Sequence, residues 1–102
     1  MTTIHTNISA NGITLTISVE GRFDFSALPL FRSAYEKQQP KPQAYIIDLS
    51  KADYLDSSAL GMLLALRDYA GGDAANIRLK NPNPDVKKIL VITKLDELFE
   101  IE

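Results

Sequence analysis

A chain of 102 residues with 45% hydrophobic and 24% charged side chains forms one compact domain, too short for a second core and too apolar for disorder. Its 11 basic and 13 acidic residues leave a net charge of −2, with Lys87-Lys88 as the basic doublet, which excludes the electrostatic footprint of a nucleic-acid or anionic-membrane binder. The absence of cysteine removes disulfides, thiolate nucleophiles and thiolate metal ligands together. The longest apolar run, Met62 to Leu66, falls far short of the roughly 20 residues that span a bilayer, and the N-terminus carries no basic-then-apolar signal segment. The expectation is a cytoplasmic domain over residues 1–102 that needs no cofactor, works through protein partners and is monomeric when free.

Residues Ile4 to Ser9 and Ile13 to Val19 alternate apolar with polar side chains around the turn signal Asn11-Gly12, which predicts a β-hairpin. After Gly21 the period changes: Ser26 is placed to cap a helix, Pro29 falls in its first turn, and Leu28, Phe31, Ala34 and Tyr35 follow helical spacing up to Pro40. Tyr45-Ile46-Ile47-Asp48-Leu49 reads as a short strand covered on both faces. A helix from about Ser58 to Ala70 ends at Gly71-Gly72, and Asn76 to Lys80, with Ile77 and Leu79 inward, completes a strand–helix–strand crossover of right-handed type. Part of the sheet is therefore parallel. Pro84 opens a third helix with Val86, Ile89 and Leu90 on one face; a helical turn from Leu95 to Leu98 leads to a strand-like Phe99-Glu100-Ile101. The class is α/β, a mixed sheet of about five strands.

On a helical wheel, the apolar positions between Ala59 and Ala70 spread over about 220°, roughly twice the stripe that seats a helix on a sheet. One flank, Leu60/Leu64 or Met62/Tyr69, is thereby left for another surface. The same helix begins at Tyr54-Leu55-Asp56-Ser57-Ser58-Ala59-Leu60-Gly61, two hydroxyls after a carboxylate. Ser and Asp cap helix N-termini, and capping alone accounts for many such pairs. The unpaired amides and the positive dipole end there also favour an added anion, so a phosphate would be tolerated locally while changing the surface around it.

Asp56-Ser57-Ser58-Ala59-Leu60-Gly61 resembles the phosphoacceptor motif of STAS-domain anti-sigma factor antagonists, usually Asp-Ser-Ser-Gly-Leu-Gly, which follows a strand like Ile47-Asp48-Leu49. Gly21-Arg22-Phe23-Asp24 is similar to that family's Gly-x-Leu-Asp turn. Pro84-x-Val86-Lys87-Lys88-Ile89-Leu90 with Leu95 and Leu98-Phe99 resembles its C-terminal third, so the likeness covers nearly the whole chain. Within the family the chain is most similar to the short, single-domain HsbA-like branch.

The resemblance implies a SpoIIAA-like fold with helices mainly on one sheet face. It implies Ser58 as the residue phosphorylated by an anti-sigma factor that is a GHKL-type serine kinase, and a PP2C-type phosphatase that restores the hydroxyl. The unphosphorylated domain would hold the anti-sigma factor and free the sigma factor. Ser57 would be the capping neighbour, Asp24 and Asp56 would hydrogen-bond around the Ser58 hydroxyl, and Ala59, Leu60, Gly61, Met62 and Leu64 would meet the partner. Two departures stand out: Ala59 replaces the usual Gly, and the family's C-terminal helix is shortened or absent.

Three other readings compete. A hydrolase would need a base beside Ser57 or Ser58, yet the single histidine, His5, lies in the first predicted strand, leaving Lys51 as the substitute. A cation site could draw on Asp24, Asp48, Asp53 and Asp56, but these read better as solvated turn carboxylates, and no metal is expected. A STAS adaptor subunit of a lipid ABC-type transporter would keep the fold without needing an acceptor serine.

Overall fold

The computed structural model describes Thr2 to Glu102. Five strands, β1 (Thr2–Ile8), β2 (Thr14–Phe23), β3 (Ala44–Leu55), β4 (Ile77–Lys80) and β5 (Glu100–Ile101), form one sheet in the spatial order 1-2-3-4-5. The β1–β2 pair is the expected antiparallel hairpin, with Ile4 opposite Val19 and Ile8 opposite Leu15. The pairs β2–β3, β3–β4 and β4–β5 are parallel. Each parallel step is bridged by one helix: α1 (Leu28–Glu36), α2 (Ser57–Tyr69) and α3 (Pro84–Ile92).

Because the strand order never reverses, crossovers of one hand place all three helices on the same side of the sheet. The burial pattern follows from this. Leu15, Ile17 and Val19 of β2, Tyr45, Ile47 and Leu49 of β3, and Ile77 and Leu79 of β4 lie under the helices, each 5% exposed or less. Phe31 and Tyr35 of α1, Met62, Leu63 and Leu66 of α2, and Val86 and Leu90 of α3 complete the core. Each such side chain contributes about 1.5–3 kcal/mol through its burial. An aromatic file, Phe23–Phe31–Tyr35–Tyr69, with successive ring centroids 5.1, 5.8 and 4.9 Å apart, seams α1 to α2.

The opposite face carries polar side chains. Here the sequence expectation for Tyr45–Leu49 is corrected: β3 is longer than that run and is covered on one side, with Ile46 and Asp48 half-buried on the other. A parallel strand is covered twice only when helices return on both faces, and these do not. His5, Ser18 and Asp48 line up across β1, β2 and β3 on this open face, where His5 Nε2 lies 2.7 Å from Glu20 Oε2.

Tyr45 is 1% exposed, and its hydroxyl has no partner among the described residues. Burial, with Tyr69 and Tyr35 nearby, pushes this phenol above its usual pKa. An orphaned buried hydroxyl carries an uncompensated desolvation cost. Tyr45→Phe should therefore raise stability by about 1 kcal/mol in a urea titration; a loss of stability would mean that the hydroxyl has found a bound water.

Candidate functional site

Strands β2 and β3 end side by side, Phe23 opposite Leu55, with the Asp56 amide donating to the Phe23 carbonyl at 3.4 Å. Their two exit turns are built alike. Asp24 caps a 3-10 turn (Phe25–Ala27) that runs directly into α1: its Oδ1 accepts from the Ser26 amide at 3.0 Å and from Ser26 Oγ at 2.5 Å. The Ser26 hydroxyl holds this carboxyl below the usual aspartate range, with a weaker contribution from Arg22, whose Nε lies 3.5 Å from Oδ2. Asp56 caps α2 and accepts from the Ala59 amide at 3.0 Å.

Two expectations change accordingly. Asp56 rather than Ser57 caps α2, and Asp24 rather than Ser26 caps the 3-10 turn ahead of α1, whose own N-cap, Ala27, has no side-chain cap; a carboxylate one residue past each strand already reaches the free amides. Both carboxylates are thereby turned to their own turns, Asp24 to Ser26 and Asp56 to Ala59, rather than to the Ser58 hydroxyl. Ser57 and Ser58 become the first two residues of α2, Ser57 exposed and Ser58 half-buried.

Ser58 lines a small open groove of about 250 Å³ with Phe25, Leu28, Gly61, Met62 and Ala65. Leu28, Met62 and Ala65 continue into a second hollow between α1 and α2, about 390 Å³, bounded by Arg32, Tyr35, Asp68 and Tyr69. Phe25 is 70% exposed at the mouth and Leu28 37%. On the other side of the β2 and β3 ends, the Arg22 guanidinium stacks over Tyr54 at 4.3 Å.

The exposed flank of α2 is Leu60/Leu64, with Leu64 41% exposed, whereas Met62 faces the core at 4%. Of the five residues expected to meet a partner, Ala59 is fully buried, Met62 is buried and lines the groove with the exposed Gly61, and the half-buried Leu60 and exposed Leu64 lie outside the groove. Phe25 and Leu28 are the surface residues that sequence reasoning missed. No periodicity pointed to Phe25: it shares the strand phase of the fully buried Phe23, and only the 3-10 turn that follows Asp24 swings its ring outward.

Gly61 has ordinary helical geometry, and a Cβ built there meets nothing within 4 Å. Inside a helix glycine costs about 0.5–1 kcal/mol relative to alanine. Gly61→Ala should raise the denaturation midpoint by a matching amount, so the domain itself has no need of this glycine.

The competing chemistries find little here. His5 is on the open sheet face with Glu20, and Lys51 lines the same face, away from the serines. Among the described residues, no three His, Asp or Glu side chains gather closely enough to hold a metal ion. No helix is long and apolar enough to cross a membrane.

A family model described as "Mlab, STAS domain" matches residues 6–100. A STAS-domain containing protein of Pseudomonas aeruginosa (strain UCBPP-PA14) is 56% identical over 93 residues, covering 91% of this chain and 92% of its own. Among solved structures, an anti-sigma factor antagonist from Mycobacterium paratuberculosis superposes with a TM-score of 0.80 at 22% identity, over 99% of this chain and 85% of its own. The Bacillus cell fate determinant SpoIIAA in its phosphorylated form gives 0.74 at 20% identity, over 98% and 91%. At these identities the structural likeness establishes the SpoIIAA-like fold.

Proposed function

The chain belongs to the STAS domain family, and on that premise we propose that it is an anti-sigma factor antagonist whose partner binding is switched by phosphorylation of Ser58. The observation that carries the reading is the position of Ser58: a half-buried residue in the first turn of α2, on the rim of an apolar groove flanked by exposed Phe25 and Leu28. Phe and Leu grouped around a small cleft are what a protein partner buries at the centre of an interface. Gly61 fits the same picture, since bare backbone on the groove lets a partner approach closely.

In the proposed cycle the unphosphorylated domain occupies an anti-sigma factor and releases the sigma factor into the cytoplasm. The anti-sigma factor, a GHKL-type kinase, then presents ATP. Ser58 Oγ attacks the γ-phosphorus, the bond to the β,γ-bridging oxygen breaks, ADP leaves, and the hydroxyl proton passes to a base on the kinase. The product carries about −1.5 to −2 charge in the first turn of α2, two residues after the Asp56 cap. The helix N-terminus accommodates it, but a partner docked on the groove would have to desolvate it, which ends binding. A PP2C-type phosphatase resets the site by hydrolysis. The domain supplies the acceptor and performs no catalysis.

Incubation with the cognate kinase and ATP, followed by intact-mass measurement, should add one phosphate to the wild type and none to Ser58→Ala. An unmodified wild type would point instead to a permanently docked transport adaptor.

A further inference from the structure

The two edges of the sheet are built differently. Edge strand β5 has only two residues, Glu100 and Ile101, and is followed by Glu102, so it is short and charged, as protected edges are. Edge strand β1 has seven residues, Thr-Thr-Ile-His-Thr-Asn-Ile, with no Lys, Arg, Asp, Glu or Pro, and pairs with β2 without a bulge. It lacks the usual devices that stop one strand from pairing with another chain.

The hydrogen-bond phase of β1 follows from one contact. The Ser9 amide donates to the Thr14 carbonyl at 2.9 Å, so Ser9 and, by alternation, Asn7, His5 and Thr3 turn their backbone groups toward β2. Ile4, Thr6 and Ile8 turn theirs outward. On the helix side of the sheet, an open groove of about 280 Å³ runs along this edge, lined in part by Ile4, Thr6, Ala34 and Leu30, the last 52% exposed.

We propose that β1 is a self-association edge: it pairs antiparallel with β1 of a second copy of this chain, joining two five-stranded sheets into one of ten about a two-fold axis at Thr6. The sequence of β1 commits the occupant. Centred on Thr6, the register sets Ile4 opposite Ile8 of the second copy, Thr6 opposite Thr6, and His5 opposite Asn7. These are apolar, hydroxyl and hydrogen-bonding pairs of the kinds that stabilise antiparallel ladders. No like charges meet, and the outward groups of Ile4, Thr6 and Ile8 supply about six backbone hydrogen bonds in all. Composition alone predicts a free monomer; the edge geometry predicts a dimer. The inference rests on the sheet and is independent of Ser58, which lies at the strand ends of β2 and β3.

Sedimentation of the untagged chain from micromolar to millimolar concentration tests it. The wild type should rise from 11.3 kDa toward twice that mass. Thr6→Pro removes an outward amide while sparing the β2 ladder, so it should stay monomeric with an unchanged circular dichroism spectrum. Thr6→Lys and Thr6→Glu should each be monomeric, and their equimolar mixture should dimerise again, because opposite charges then face each other across the axis. A wild type monomeric throughout, a Thr6→Pro variant that dimerises normally, or a mixture that fails to recover would overturn the proposal.

Discussion

Phe25→Ala is expected to weaken binding of the proposed anti-sigma partner by ten- to a hundred-fold, about 1.4–2.8 kcal/mol, while leaving the domain as stable as before. The two halves of this expectation have one cause. Phe25 is 70% exposed, so truncating it removes almost nothing from the core, and exposed substitutions of this kind usually stay within about 0.5 kcal/mol. The same exposure means that the ring's apolar area is still in water and available to a partner. Aromatic side chains in a partly formed pocket are where binding energy concentrates, and this ring overhangs the groove that Ser58 lines. Leu30→Ala is the control: Leu30 is 52% exposed on the same helix as Leu28 but borders the β1 groove. It should bind as the wild type does in a calorimetric titration. Equal affinities for wild type and Phe25→Ala would place the interface elsewhere.

Much of this architecture was legible in the chain because its signals are local. Asn11-Gly12 between alternating runs specifies the hairpin, and Gly71-Gly72, both with positive φ, stop α2 where expected. The misreadings share a different origin. Tyr45–Leu49 is nearly continuous in apolar residues, and periodicity cannot say that the helices return on one face; that follows from strand order, which is a property of the whole fold. The wide apolar arc of α2 likewise mixed two uses. Met62 goes to the core beneath the groove and Leu64 to the surface, and only the neighbouring α1 decides which. Asp56 and Ser57 are both good caps, so the serine pair could be placed only to within one residue until the amide partner of Asp56 was known. Phe25 was hidden because it lies one position beyond the Gly21–Asp24 turn, in a segment whose short 3-10 geometry has neither strand nor helix period.

Ser58→Glu should separate folding from binding by moving them in opposite directions. In the first turn of α2 a carboxylate faces the positive end of the helix dipole, worth about 0.3–1 kcal/mol to the folded state. The thermal midpoint should hold or rise. The same charge stands on the groove rim, where a docked partner must desolvate it, so affinity should fall about a hundred-fold or more. Ser58→Ala keeps the rim neutral and should bind as the unphosphorylated wild type does. Ser58→Gln separates charge from bulk: it matches Glu in size, and should recover most of the affinity. Ser57→Glu, one residue earlier on the exposed side of the turn, should cost far less, and its smaller loss should shrink as added salt screens an exposed charge. If Ser58→Glu binds as tightly as Ser58→Ala, the groove is not the surface that phosphorylation controls.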